Sequence, residues 1–189
     1  MIKIGILGDI GSGKSFVAQN FGYPVFNADY EVAKLYKKNK NVFNKLKAKL
    51  PKYIYSFPIK KIEISNAILG NKNNLNKIVK IVHIEIRNKL NNFLKKNKNK
   101  KIVILDIPLL LENKINNKKD ILVYVQSKKS HILKRLKKRK NFNQRILKIF
   151  RAIQYSTIYK KKRAHFVIKN NFTKKSVNDG INNILKEIT

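Results

Sequence analysis

The stretch that decides the fold is Gly8-Asp9-Ile10-Gly11-Ser12-Gly13-Lys14-Ser15, which fits the pattern GxxxxGK[ST] at every fixed position. The apolar run of residues 2–8 leads directly into it, and residues 14–21 after it show a helical pattern. Strand, glycine-rich loop and helix, in that order, form the context in which this pattern binds phosphate. The sequence therefore predicts a phosphate-binding loop near the start of an α/β fold.

The loop residues have distinct chemical roles. Its glycines let backbone N–H groups converge on phosphate oxygens. Lys14 is expected to neutralise the β- and γ-phosphates of ATP, and the Ser15 hydroxyl is expected to bind Mg²⁺. The residues predicted to bind ATP in this loop are Gly8, Gly11, Ser12, Gly13, Lys14, Ser15 and Phe16.

Further short apolar runs alternate with helical patterns along the chain. The runs cover residues 24–26, 102–105, 120–126 and 165–171. The helical patterns cover residues 30–36, 75–94, 128–140, 144–161 and 177–188. Because the run at 102–105 is apolar throughout, it indicates a strand buried on both faces. This alternation predicts a three-layer α/β fold with a parallel sheet covered by helices.

A single domain of residues 1–189 suits this length. Within it we expect a nucleotide-binding core, a helical acceptor-binding segment and a small lid. These subregions are predicted at residues 1–36 with 100–189, at 37–99 and at 128–145, respectively. The Lys- and Asn-rich stretch from about 37 to 61 is expected to be a mobile connection without regular structure.

The composition is strongly basic, with 44 Lys and Arg against 10 Asp and Glu and a net charge of +34. Thirty-eight of the cations are Lys, and Lys, Ile and Asn are the residues whose codons are poorest in G and C. A genome rich in A and T explains this excess. Since no aromatic-interleaved basic patch or groove-reading motif accompanies the lysines, we expect no specific nucleic-acid partner.

Composition also excludes several classes of protein. The chain has no Cys, which removes disulfide frameworks and thiol chemistry. No apolar run approaches the roughly 20 residues needed to cross a bilayer, so we expect no membrane partner. The opening MIKIGILG is too short for a signal peptide, and the expected location is therefore cytoplasmic.

A phosphate-binding loop by itself is compatible with a GTPase, a motor ATPase or a small kinase. The run Asn117-Lys118-Lys119-Asp120 matches the guanine-reading pattern N-K-x-D, but it precedes a predicted strand instead of following one. No D-x-x-G follows a strand, and a motor ATPase usually needs a larger domain. These observations favour a small kinase.

A small kinase needs a carboxylate near the acceptor and cations for the transferred phosphoryl group. Asp29 follows the second predicted strand, where α/β sheets bind ligands, and it could also cap the next helix, since the two roles are compatible. Asp106 ends the strand at 102–105, which we expect to neighbour the strand at 120–126, and it could bind Mg²⁺ through water or fix the acceptor. Five of the six arginines fall within 29 residues, which suggests a phosphate-binding lid: Arg135, Arg139, Arg145, Arg151 and Arg163.

Several blocks together resemble the dephospho-CoA kinase family over nearly the whole chain. GDIGSGKS at 8–15 and FNAD at 26–29 look like that family's GGIGSGKS and D-A-D. HIEIR at 83–87 is similar to H-P-x-[IV]-R, and DIPLLLE at 106–112 fits D-x-P-L-L-x-E. Arg135, Arg139 and Gln154 match the spacing of the lid arginines and a helix Gln, and AHFVIKN at 164–170 resembles A-D-x-V-I-x-N.

The resemblance implies transfer of the ATP γ-phosphoryl group to the ribose 3′-hydroxyl of dephospho-CoA. It implies that Lys14, Asp29 and Arg139 are catalytic, Asp29 lying near the acceptor hydroxyl and Arg139 acting as a lid cation. Asn170 is implied near the adenine. The residues implied to bind dephospho-CoA are His83, Arg87, Asp106 and Pro108.

Four positions depart from the family pattern. Asp9 replaces a loop glycine, which brings a carboxylate near the phosphates, where it is repelled unless it points away or meets Lys14 or Mg²⁺. Asn27, Ile84 and His165 replace an Asp, a Pro and an Asp. Since none of these changes removes Lys14, we expect the activity to be retained, with Asp9 the change that bears most on rate.

Two other functions stay open at this point. One is a P-loop kinase that phosphorylates a nucleoside monophosphate or a small alcohol. The other is a basic nucleic-acid-binding protein that keeps the loop as a relic.

Overall fold

The computed structural model describes residues 1–139 and 142–188. Its strands are β1 (Ile2–Gly8), β2 (Val25–Asn27), β3 (Ile102–Asp106), β4 (Ile121–Gln126) and β5 (Phe166–Lys169). They form a five-stranded sheet in the order β2-β3-β1-β4-β5, and each neighbouring pair is parallel. The predicted parallel sheet is confirmed.

Helices connect the strands. They are α1 (Lys14–Asn20), α2 (Ala28–Lys38), α3 (Lys40–Lys49), α4 (Lys61–Gly70), α5 (Lys72–Lys96), α6 (Lys129–Lys137), α7 (Gln144–Ala152), α8 (Thr157–Arg163) and α9 (Lys174–Ile188). Strands followed by crossover helices are the usual way to build a parallel sheet. Along the described residues, no helix has both the length and the apolar character that a bilayer crossing needs.

The chain divides into two compact units. One comprises Met1–Asn27, Asn97–Asn143 and Phe150–Thr189, and the other comprises Ala28–Lys96 and Gln144–Ile149. The first contains the sheet and the phosphate-binding loop. The second contains α2 to α5, in which α2, α3 and α4 each pack on the long helix α5.

The core of the first unit follows the alternation of side chains along the strands. On one face, the buried residues of β1, β3 and β4 pack with α1 and α9: Ile4, Ile6, Val17, Ala18, Ile102, Ile104, Val123, Val125, Val177 and Ile181. The other face is also buried, at Leu7, Val103, Leu105, Leu122 and Tyr124. Burial on both faces explains the continuous apolar run of β3, and it confirms the three-layer prediction.

The expected lack of structure between residues 37 and 61 is wrong for its first part. There α3 forms, capped by Asn39, whose side chain accepts a hydrogen bond of 2.9 Å from the Val42 N–H. Val42 and Leu46, one turn apart, are fully buried on the inner face of α3. Burial of this sparse apolar stripe outweighs the polar composition of the segment.

Two other predictions need correction. The helix predicted at 144–161 is two helices, because Ser156 caps α8 by accepting a hydrogen bond from the Tyr159 N–H. Asp106 does not end a neighbour of β4, since β3 lies between β2 and β1. The predicted helix end at Lys140, like residues 140 and 141 of the predicted lid, lies outside the described residues.

Candidate active site

The phosphate-binding loop joins β1 to α1, at the carboxyl edge of the sheet. Gly11 and Gly13 have φ values of 86° and 91°, which side-chain-bearing residues rarely adopt. A Cβ atom on Gly13 would overlap the Asn170 amide, and one on Gly11 would press on Ile132 and Leu136 of α6. The loop is therefore packed tightly from outside while its backbone is curved as a phosphate cradle requires.

Lys14 lies at the start of α1, and its ammonium group folds back over the loop. Its Nζ is 2.9 Å from the Asp9 carbonyl oxygen and 3.3 Å from that of Gly8. These carbonyls hold the positive charge at the place where the loop would receive phosphate. Ser15, the residue predicted to bind Mg²⁺, follows in the first turn of α1 and is exposed.

Asn170 supports the loop from behind. Its Nδ2 donates a hydrogen bond of 2.9 Å to the Ser12 carbonyl, which also accepts one of 2.9 Å from Ser127 Oγ. Its Oδ1 accepts a hydrogen bond of 2.8 Å from the Phe172 N–H. The Asn170 side chain, implied to lie near the adenine, thus acts within the protein as a brace of the loop.

Ser12 itself is buried, and within the described residues its hydroxyl oxygen has no hydrogen-bond partner. A buried polar group without a partner costs free energy, and natural structures retain few of them. An unpartnered donor inside a phosphate loop fits an anionic ligand at this place.

Asp9, which replaces a glycine of the family pattern, is held by two contacts. Its Oδ1 accepts a hydrogen bond of 2.7 Å from the Ile10 N–H, and its Oδ2 lies 3.2 Å from the guanidinium of Arg151. Lys14 and Mg²⁺ were the expected partners of this carboxylate, whereas its partner in the structure is Arg151, at the end of α7.

Asp106 is buried at the end of β3, and its Oδ2 accepts a hydrogen bond of 2.6 Å from Asn27 Nδ2 at the end of β2. Asn27 replaces an Asp of the family pattern, and the amide supplies a donor where two carboxylates would repel. Pro108 follows in the turn after β3. Asp106 and Asn27 thus lie at the carboxyl edge of the sheet, where Asp106 was expected.

The oxygen ligands at this edge fit Mg²⁺, which prefers carboxylate, hydroxyl and phosphate oxygens. Ser15 and Asp106 are the side chains of the first unit that would hold it together with the phosphates. Within residues 1–139 and 142–188, no three His, Asp or Glu side chains cluster as a metal cage.

The second unit carries Asp29, His83 and Arg87. Asp29 lies within the first turn of α2, so it is not the residue that precedes and caps this helix. His83 and Arg87 are one turn apart on α5, as predicted. Burial lowers the pKa of His83, and the nearby positive charge of Arg87 lowers it further, so this imidazole is neutral at physiological pH.

The two arginines that match the spacing of the family's lid arginines differ in their surroundings. The guanidinium of Arg135 on α6 stacks 4.2 Å from the centre of the Phe172 ring, whereas Arg139 is exposed after the end of the helix. Phe172 has a φ of 70°, which is rare for a bulky residue. Arg135 is therefore engaged with the loop that follows β5.

One buried cluster was missed by sequence reasoning. Lys160 is only 2% exposed, and its Nζ lies 2.8 Å from Glu112 Oε1 and 2.9 Å from Gln154 Oε1. Glu112 Oε1 also accepts a hydrogen bond of 2.9 Å from the Tyr155 N–H. In the sequence, Glu112 and Gln154 stand out only as parts of family motifs. Lys160 is one of many lysines in the chain, so nothing in the sequence marks it as buried. The cluster ties the turn after β3 to α8.

Comparison with known proteins identifies the family. The sequence model of the family described as dephospho-CoA kinase matches residues 2–176. The chain belongs to the dephospho-CoA kinase family. A dephospho-CoA kinase from Wolbachia of Brugia malayi is 30% identical over 191 residues, covering 98% of this chain and 97% of that protein.

Solved structures share the fold of this chain. The structure of TT1252 from Thermus thermophilus has a TM-score of 0.79 at 26% identity, covering 100% of this chain and 98% of that one. A dephospho-CoA kinase from Campylobacter jejuni has a TM-score of 0.62 at 21% identity, with coverage of 99% and 97%, and shares the fold. The resemblance to dephospho-CoA kinases and the predicted P-loop kinase fold are thus confirmed.

Membership in the dephospho-CoA kinase family makes the chain a kinase. It disfavours a GTPase, and it disfavours a nucleoside monophosphate or a small alcohol as the acceptor. Locally, the N-K-x-D match has a structural explanation. The buried Asp120 carboxylate accepts a hydrogen bond of 2.9 Å from the Asn117 N–H and lies 3.7 Å from Lys3 Nζ. These contacts close the turn that leads into β4.

The remaining departures from the family pattern are also accommodated. His165 Nδ1 accepts a hydrogen bond of 2.9 Å from the Leu122 N–H, so it supplies the acceptor that an Asp side chain would supply. Ile84 is 60% exposed on α5.

Proposed function

We propose that the reaction of this family, ATP-dependent phosphorylation of dephospho-CoA to coenzyme A, takes place in this chain at the phosphate-binding loop, with transfer to the ribose 3′-hydroxyl. The observation that carries the proposal is the loop with Lys14, whose Nζ is held 2.9 Å from the Asp9 carbonyl at the carboxyl edge of the sheet. A preorganised cation and backbone donors stabilise the charge of a transferring phosphoryl group.

On the nucleotide side, the loop amides would bind the phosphates and Lys14 would neutralise the β- and γ-phosphate oxygens. Ser15 and Asp106 would hold Mg²⁺, which when bound offsets phosphate charge. Asn170 acts here by fixing the Ser12 carbonyl, which keeps the loop amides in position, and contact with the adenine is proposed for it as well.

On the acceptor side, Asp29 is proposed to accept a hydrogen bond from the 3′-hydroxyl and to take its proton as the phosphoryl group is transferred. Arg139 is proposed to bind the transferring group. His83 and Arg87 are proposed to bind dephospho-CoA, with the neutral His83 as a hydrogen-bonding partner and Arg87 as a phosphate ligand. Asp106 and Pro108 complete the proposed set.

The test is an ADP-release assay with ATP and Mg²⁺, in which dephospho-CoA is compared with AMP, CMP and no acceptor. We expect ADP only with dephospho-CoA, and coenzyme A as the second product by mass spectrometry. Lys14→Ala, which removes the phosphate-binding ammonium group, serves as the inactive control. Preference for a monophosphate would move the chain to another kinase class, and no release with any acceptor would contradict the proposal.

A further inference from the structure

A cavity of about 410 Å³ opens beside the phosphate-binding loop in the first unit. Gly8 and Asp9 of the loop form one wall, α6 contributes Lys129, and Arg151 with the start of α8 closes the other side. Because Gly8 and Asp9 line it, this space is continuous with the place where phosphates would bind. The cations of its lining are Lys129, Arg151 and Lys160, and Asp9 is its one carboxylate among the described residues.

The Arg151 guanidinium enters this cavity in a defined orientation. It lies 3.2 Å from Asp9 Oδ2, and its side chain is 42% exposed while that of Asp9 is 22% exposed. Asp9 is itself fixed, because its Oδ1 accepts the Ile10 N–H at 2.7 Å. A guanidinium has five N–H donors in a rigid fork, so a single contact with Asp9 leaves donors that can bind a second group.

The same residue, Asp9, also positions Lys14. Its carbonyl oxygen is 2.9 Å from Lys14 Nζ, so Asp9 holds the ammonium through its backbone and the guanidinium through its side chain. In loops of this pattern the lysine reaches the β- and γ-phosphates while the backbone amides bind the inner ones. Arg151 is therefore held on the side of the loop where the terminal phosphate would lie.

We propose that Arg151 binds the γ-phosphate of ATP and that Asp9 is the residue that positions it. The inference rests on the proposed nucleotide site. It explains how a carboxylate is tolerated beside the phosphates. The Asp9 carboxylate is paired with the Arg151 guanidinium, so the pair adds no net negative charge there. Arg151 could instead only neutralise Asp9. Removing both charges should weaken ATP binding if Arg151 binds the γ-phosphate, and should leave it unchanged if Arg151 only neutralises Asp9.

The experiment compares the parent protein with the double variant Asp9→Asn/Arg151→Ala, in which both charges of the pair are absent and the net charge is unchanged. Calorimetry without any acceptor measures the binding of Mg²⁺-ADP and of a Mg²⁺-ATP analogue with a β,γ-imido bridge. Loss of a charge-assisted hydrogen bond should weaken binding of the analogue about tenfold, with ADP binding unchanged within about twofold. Lys148→Ala, which removes an exposed cation from α7, should change neither.

Two outcomes would overturn the proposal. Equal binding of the analogue by the parent protein and the double variant would mean that Arg151 only neutralises Asp9. An equal loss of ADP and analogue binding would mean that Arg151 does not select the terminal phosphate. If Arg151→Ala lowers the Tm, Arg151→Lys, which keeps the charge and loses the fork, is measured under the same criteria. Because no acceptor is present, failure of the dephospho-CoA assay would leave this result standing.

Discussion

The side-chain amide of Asn170 donates a hydrogen bond of 2.9 Å to the backbone carbonyl of Ser12, so the end of the last strand holds the phosphate-binding loop in place. Asn170 is buried, and it sits so close to Gly13 that no larger residue fits there. Residues 158 positions apart in the chain thus determine one another's conformation. This contact holds the loop in the conformation that its glycines allow.

Asn170→Asp should therefore weaken both the fold and nucleotide binding. The change replaces a donor by a second acceptor facing the Ser12 carbonyl in a buried place, at an expected cost of about 2–3 kcal/mol in the free energy of unfolding. Chemical denaturation and ADP calorimetry measure the two effects.

The neighbouring Asn171 provides the matched control. Its Oδ1 only accepts hydrogen bonds in the described structure, from Thr173 and Ser176. The same substitution, Asn171→Asp, keeps those acceptors and should leave stability and ADP affinity near those of the parent protein. Equal effects at the two positions would refute the bracing role of Asn170.

Asp29→Asn should lower kcat at least about a hundredfold, the usual contribution of a positioned general base, without lowering the Tm. Glu31→Gln is the control, because Glu31 lies in the same helical turn and makes an exposed pair with Lys34 at 3.4 Å. Turnover with saturating ATP and dephospho-CoA is the measurement. If Asp29→Asn turns over like Glu31→Gln, Asp29 only stabilises the start of α2.

Glu63 should make the stability of the protein depend on pH. This carboxylate is 1% exposed and accepts hydrogen bonds from the Tyr55, Ser56 and Lys60 N–H groups and from the Ser56 hydroxyl. Burial raises its pKa, but the hydrogen bonds from Ser56, Tyr55 and Lys60 outweigh burial, so the pKa lies below its ordinary value of 4.5.

Because the folded pKa of Glu63 is lower than the unfolded one, its contribution to stability is present above about pH 4.5 and is lost as the pH falls through the folded pKa. Glu63→Gln should therefore be less stable than the parent protein at pH 6, and the difference should shrink toward pH 3. Urea unfolding across this range measures it. Glu187→Gln, at an exposed position, should show no such trend, and a constant difference for Glu63→Gln would contradict the assignment.

His165→Asp should be tolerated, whereas His165→Ala should not. The Asp carboxylate can accept the Leu122 N–H that His165 Nδ1 accepts at 2.9 Å, whereas Ala leaves that N–H without its side-chain partner. The expected cost of His165→Ala is about 1 kcal/mol, and that of His165→Asp is smaller. Thermal unfolding of the two variants distinguishes them, and an equal Tm would show that the acceptor is unimportant.

The sheet and its loop were predictable because their signals are local. Continuous apolar runs and the GxxxxGK[ST] spacing gave β1, β3, β4 and the start of α1. The helix α3 was missed because only Val42 and Leu46 mark its buried face in a stretch of Lys and Asn. The break between α7 and α8 was missed because a single serine cap at Ser156 decides it.

The partners of charged residues were less predictable than the elements. Asp9 and Arg151 are 142 positions apart, and no local pattern distinguishes Arg151 from the other arginines. The position of β3 between β2 and β1 depends on how the strands assemble, so the contact between Asp106 and Asn27 could not be foreseen. Acidic residues and arginines, which are rare in this Lys-rich chain, were nevertheless a useful guide to such contacts.

Several of the few carboxylates are buried, and this affects how copies of the protein interact in solution. Glu63, Asp106 and Asp120 are buried, and Glu112 is paired with the buried Lys160. With a net charge of +34, cations far outnumber the remaining carboxylates at the surface, so two approaching copies repel each other. Colloidal repulsion should keep concentrated solutions dispersed at low ionic strength, and added salt should weaken that repulsion as the Debye length shortens.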